Sequence, residues 1–142
     1  RIFELMRLMG EHRLTVIPVI GDEGRYLGLV SQNDLLRYFS QTASFTESGA
    51  VLVLDMPQRD YSLTAIARII EGENVKILSS FVTSTPDTEN DKVTQKLNRQ
   101  DVSRVTASLE RHNYSVKEKF SQVEYADPMR ERYESLMHYL SI

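Results

Sequence analysis

No cysteine occurs in the 142 residues, which excludes a disulfide framework, thiolate chemistry and a cysteine-ligated zinc site. An excess of either charge is also missing. Seventeen basic and 20 acidic residues leave a formal net charge of −3, so nothing draws the chain toward nucleic acid or an anionic membrane. No apolar run approaches the length of a membrane span, and Ile2–Met9 is too polar for a signal peptide. Catalytic signatures are lacking as well: there is no G-x-S-x-G elbow, no H-E-x-x-H, and no Ser, His and acid in a nucleophile frame. The histidines His12, His112 and His138 lie far apart without metal-ligand spacing. These absences predict no catalytic residue, no metal and no cofactor, with a cytoplasmic location as the default.

The length suits one ordinary domain or two small ones. The first helical pattern is Ile2, Leu5, Met6 and Met9, spaced for one buried face, with Gly10 and Glu11-His12-Arg13 as its end. Thr15–Ile20 (TVIPVI) reads as an apolar strand, in which Pro18 indicates an edge or a place where a ligand replaces a neighbouring strand. The turn Gly21–Arg25 leads to a short buried strand, Tyr26–Val30, and directly to a helix opening at Ser31. Gly28 allows close approach to the backbone, and the amides behind Ser31 form a cup that suits an anion. Leu35, Leu36 and Phe39 are the expected inner face of this helix, and Gln41–Gly49 a connector.

From Ala50 the pattern changes. Ala50–Leu54 reads as a strand in the middle of a sheet, Met56–Ser62 as a polar turn, and Leu63, Ile66, Ala67 and Ile70 as an amphipathic helix stopped at Gly72 or Asn74. A strand with Val75, Ile77, Ser79 and Phe81 on one face follows, then a reverse turn at Ser84–Asp91 and a returning strand at Lys92–Asn98. Asp101 can cap a helix carrying Val102, Val105 and Leu109 inward; Asn113 stops it, and Ser115–Phe120 is a further strand. The order is β-α-β-β-α-β, the ferredoxin-like split repeat, with a faint internal duplication at Asn74-Val75-Lys76 and Asn113…Val116-Lys117. At the end, Asp127-Pro128 predicts a helix start, and Met129, Tyr133, Leu136, Met137 and Leu140 form an apolar stripe that covers its own sheet or a second subunit.

Two resemblances follow from these residues. The helix, the strand with Ile17-Pro18-Val19, the Gly-bearing turn and Gly28-x-Val30-Ser31-x-x-Asp34-Leu35 resemble the second half of a CBS-domain pair, the Bateman module that senses adenine nucleotides. The resemblance implies that Thr15, Val16, Ile17 and Pro18 line an adenine, that Gly28 lies beside it, that Ser31 meets phosphate and that Asp34 holds ribose hydroxyls, with Arg13 or Arg37 near the phosphates. AMP, ATP and S-adenosylmethionine are the ligands it implies, and the facing half of the pair is expected upstream of Arg1, which already lies in a helical pattern, or in a second copy of the chain. The residues alone admit a second reading, in which Ser31 and Asp34 are a helix capping box and the strand is packing.

Met56-x-x-Arg59-Asp60-Tyr61-Ser62-Leu63-x-x-Ile66-Ala67-Arg68-Ile69-Ile70, with Asn74-Val75-x-Ile77, resembles the first half of an ACT domain, a regulatory module that often binds amino acids where two copies meet. Its loop would be Arg59, Asp60, Tyr61 and Ser62; amino-acid-binding members usually carry a glycine there, and this chain has none. In series the two parts are similar to bacterial CBS–ACT proteins of the acetoin-utilisation type. The expected organisation is α+β: a partial CBS motif (α-β-β-α) over 1–42, an ACT-like ferredoxin-fold domain over 49–122 and a terminal helix over 126–142. The expected function is non-enzymatic regulation by a ligand-sensing homodimer, the alternative being a structural oligomerisation module without a small molecule.

Overall fold

The computed structural model describes residues 1–141, and for residues 122–130 it describes the backbone only. The chain is mixed α+β with antiparallel sheets, divided into a unit spanning Arg1–Thr46 and a second from Glu47 onward.

In the first unit, helix α1 (Ile2–His12) presents Met9 as its one buried residue. Within the expected end, Gly10, Glu11 and His12 stay helical and do not close it. Arg13 does, by taking a left-handed conformation (φ 53°) that lets the N–H groups of the exit bond back to Met9 O. Strands β1 (Val16–Ile20) and β2 (Tyr26–Ser31) form a hairpin across a tight turn at Asp22–Gly24. Because the sheet has two strands, each has a free edge, and Pro18 costs no central ladder bond. Tyr26–Val30 is a strand, as its β-branched and apolar residues require, but it is not buried: Tyr26, Leu27 and Leu29 are each about three-fifths exposed. A two-stranded sheet with helices at its ends lacks a layer for both faces.

Helix α2 (Gln32–Ser40) follows β2 without a loop. Leu35 and Phe39 are half-buried, whereas Leu36, expected inside, is 68% exposed. Residues four apart share a face, and Leu36 stands a further 100° around the helix from Leu35. The connector holds a single helical turn, α3 (Ala43–Thr46).

The second unit runs β3 (Ala50–Pro57), α4 (Leu63–Gly72), β4 (Ile77–Ser84), β5 (Asn90–Leu97), α5 (Ser103–Arg111) and β6 (Ser115–Ser121). The strands lie in the order β4-β5-β3-β6, all neighbours antiparallel. β3 is central, as its apolar run requires. It is longer than expected, because Met56 continues the inward alternation of Ala50, Leu52 and Leu54 and is buried rather than part of a polar turn. Ile66 and Ile70 of α4 and Val105 and Leu109 of α5 close over the same face, making one core with Val93 and Leu97.

The alternation expected for β4 is broken. Ile77 pairs with Leu97 but Ser79 with Lys96, so Leu78 is an extra residue and the strand changes phase there. Ser80 and Val82 therefore stand on the core side, opposite Gln95 and Val93, and Phe81 faces away at 56% exposure.

Both stop residues behave as expected, with Asn74 at φ 63° and Asn113 at φ 68°; Gly72 stays helical. Asp101 caps one residue early: Val102 holds the cap position, and the Asp101 carboxylate accepts from Ser103 N at 3.1 Å and Ser103 Oγ at 2.6 Å.

The last helix, α6 (Gln122–Leu140), begins directly at the end of β6 rather than at Asp127. The helical hydrogen bonding continues from the strand end, so the Asp-Pro signal is not used as a start. The side chains of Tyr125, Asp127, Pro128 and Met129 lie outside the described residues. Tyr133, Leu136, Met137 and Leu140 are exposed. No helix among the described residues is long and apolar enough to cross a membrane.

Candidate functional site

The hairpin and α2 bring the sequence-predicted residues together at one end. Val16 lies opposite Ser31, and the step from β2 into α2 is tied to β1 by Gln32 N donating to Thr15 O at 2.9 Å and Gln32 Nε2 donating to Leu14 O at 3.2 Å. Thr15, Val16, Ser31 and Asp34 thus border one rim. Ile17 and Pro18 continue along β1, opposite Val30 and Leu29.

Gly28 sits opposite Val19, next to a register irregularity, with φ 154°. That conformation is close to glycine-only. A Cβ there would meet nothing within 4 Å, so backbone geometry, not crowding, requires glycine at this position.

Ser31 and Asp34 form a reciprocal capping box. Asp34 N donates to Ser31 Oγ at 3.1 Å, and Ser31 N donates to Asp34 Oδ2 at 2.8 Å. The second, structural reading of this pair is therefore realised. It does not exhaust the two side chains. Among the described residues, neither side chain hydrogen-bonds a group outside this pair. The backbone N–H of Ser31, then its hydroxyl, hold the Asp34 carboxyl below its ordinary value, with a smaller contribution from the Arg37 guanidinium one turn on. A charged acceptor and a hydroxyl donor side by side at a helix start suit a polyhydroxylated, anion-bearing ligand.

Residues 1–41 match the CBS domain family, so this helix–hairpin–helix is a CBS domain. CBS domains are in general regulatory ligand-binding modules. No curated protein matches the chain.

The second predicted loop is organised for structure. A tight turn at Gln58–Asp60 is closed by Tyr61 N donating to Gln58 O at 3.2 Å. Arg59 and Asp60 meet loosely at 3.9 Å in solvent, Tyr61 packs against the core, and Ser62 caps α4 by accepting from Ala65 N at 3.2 Å. No three His, Asp or Glu side chains among the described residues converge as metal ligands would.

Two features of the second unit escaped the sequence reading. Gln95, alternating like any strand residue, is fully buried; its Nε2 donates to Ser80 Oγ at 2.7 Å and its Oε1 has no partner among the described residues. A groove of about 530 Å³ lies between α4 and α5, lined by Ala65, Arg68, Ile69 and Gly72 of α4, by Glu73 at its end, and by Ser108, His112 and Tyr114 on the α5 side. Arg68 and His112 are 44 positions apart, and nothing local predicts their meeting.

Proposed function

We propose that the chain is a non-enzymatic regulator in which the CBS portion binds an adenine nucleotide or related ligand and an ACT-like domain pairs two copies and passes on the change. The single observation that carries the reading is the exposed capping box whose Ser31 hydroxyl and Asp34 carboxylate hydrogen-bond only within the pair, on the rim beside Thr15 and Val16. In this reading the adenine lies along Thr15, Val16, Ile17 and Pro18, Gly28 leaves room beside it, Asp34 accepts from ribose hydroxyls and Ser31 donates to phosphate. A facing CBS half closes the cleft.

The β-α-β-β-α-β order and the strand order β4-β5-β3-β6 support an ACT-like, ferredoxin-like domain over 49–122. Homodimer formation is supported by the apolar stripe Tyr133, Leu136, Met137 and Leu140, which α6 leaves in solvent. The loop at Arg59, Asp60, Tyr61 and Ser62 binds no amino acid, because it lacks the glycine that would bare its amides, and the Tyr61 amide and Ser62 hydroxyl are spent on Gln58 O and Ala65 N. Signal passes as a population shift: a ligand bridging two CBS halves favours one arrangement of the attached domains. The regulator is placed in the cytoplasm.

The test is a thermal melt with AMP, ATP and S-adenosylmethionine in parallel, run on the dimer. A ligand bound only by the folded state raises the melting temperature, and Asp34→Asn, which keeps an acceptor for the cap, removes that rise. Absence of any shift at millimolar ligand favours the alternative, an oligomerisation module without a small molecule. The capping box supports that alternative, since it gives Ser31 and Asp34 a structural role. A monomer by light scattering counts against the pairing.

A further inference from the structure

We propose that the groove between α4 and α5 is a binding site for a small organic carboxylate with a short apolar body. The inference does not rest on the reading of residues 1–42 or on the ACT likeness. All its residues lie between Ala65 and Tyr114, within the second unit.

The charge balance comes first. Glu73 itself lines the groove, but its carboxylate is paired with Arg104 at 3.4 Å, leaving Arg68 without an ion-pair partner among the described residues. Tyr114 is half-buried against the core, yet its hydroxyl has no hydrogen-bond partner among the described residues. His112 Nδ1 lies 2.8 Å from the Ser108 carbonyl, which can only accept, so that nitrogen carries the proton and fixes the ring on the groove wall.

The shape comes second. Ala65 and Ile69 give the floor an apolar surface, and a Cβ on Gly72 would meet nothing within 4 Å, so the groove is open at its mouth. The volume falls in the range of small-molecule sites, roughly 300–1,000 Å³. A guanidinium fork presents two parallel donors that match a planar carboxylate. A cation and a phenol over an apolar floor recognise charge at one end of a ligand and hydrocarbon at the other.

Hexanoate is the probe, with hexanamide as its neutral counterpart and inorganic phosphate as an anion without a body. Amide resonances of the full chain are followed by two-dimensional NMR. The expected result is a saturable shift of the Ala65, Ile69, Gly72 and Tyr114 amides with hexanoate, no such shift with hexanamide, and weaker binding of phosphate. Arg68→Gln should weaken hexanoate about tenfold or more, the size of a lost charge-assisted hydrogen bond. Gly72→Leu should block the mouth and abolish the shifts. Both positions are exposed, so Arg68→Gln should keep the parent melting temperature and Gly72→Leu, which replaces a helical glycine, should not fall below it. An equal response to hexanamide or phosphate, shifts centred elsewhere, or unchanged affinity in Arg68→Gln overturns the assignment.

Discussion

Adding one methyl group at Gly49 should damage the fold more than most larger changes. Gly49 is buried immediately before β3, and an ideal Cβ there would overlap the Leu97 carbonyl oxygen and press on the Leu97 carbonyl carbon at 3.0 Å. The obstacle is backbone, so no rotamer relieves it. Nor can that backbone yield cheaply. Leu97 is fully buried and pairs with both Ala50 and Ile77, while the next residue is clamped by Asn98 N donating to Lys76 O at 3.0 Å and Lys76 N donating to Asn98 Oδ1 at 2.8 Å. Displacing this segment forfeits about two hydrogen bonds at about 1 kcal/mol each. Part of the Leu97 burial goes with them, worth about 1 kcal/mol of the roughly 1.5–3 kcal/mol for the whole side chain. Gly49→Ala should therefore cost about 3 kcal/mol, lowering the calorimetric midpoint of the second unit by roughly 12–24 °C. The control is Gly10→Ala, inside α1 with open space around its Cβ, expected to stabilise the first unit by about 0.5–1 kcal/mol. A Gly49→Ala protein melting within about 5 °C of the parent would refute the reasoning.

Asp34→Asn tests the charge in the capping box. The folded state holds this carboxyl below its ordinary value, so its stabilisation is present above the unfolded-state pKa and fades as pH falls through the lowered folded-state value. The parent should therefore melt above the variant at neutral pH and converge with it in acid; a gap that widens toward acid contradicts the assignment. Gln95→Leu removes a hydrogen bond to Ser80 worth about 1 kcal/mol but also a buried acceptor whose orphaning costs about 1–3 kcal/mol. Denaturant melts should show stability unchanged or raised by about 1 kcal/mol, and a loss beyond about 2 kcal/mol would mean that Oε1 is satisfied.

Local chemistry was legible wherever a few neighbouring residues settle the matter. The Ser31 and Asp34 box, the Ser62 cap and the left-handed stops at Asn74 and Asn113 each involve atoms within about one helical turn. The apolar run from Ala50 likewise demanded a strand covered on both sides by neighbours, and β3 is that strand. The candidate CBS residues were recognised as a group because β1, the turn and α2 are consecutive, and the hairpin register alone brings Val16 to Ser31.

The amino-acid sequence, then, determined the elements, their caps and the rim on which Thr15, Ser31 and Asp34 meet, because those depend on backbone bonds spanning three or four residues and on one short hairpin. Tertiary structure decided the rest. The extra residue at Leu78 turned Phe81 outward, Leu97 arrived against Gly49, Gln95 was sealed inside, and Arg68 came to face His112 and Tyr114. Each of these is set by sheet register or by the packing of two helices on one face. Such distances between residues dozens of positions apart follow from the whole fold.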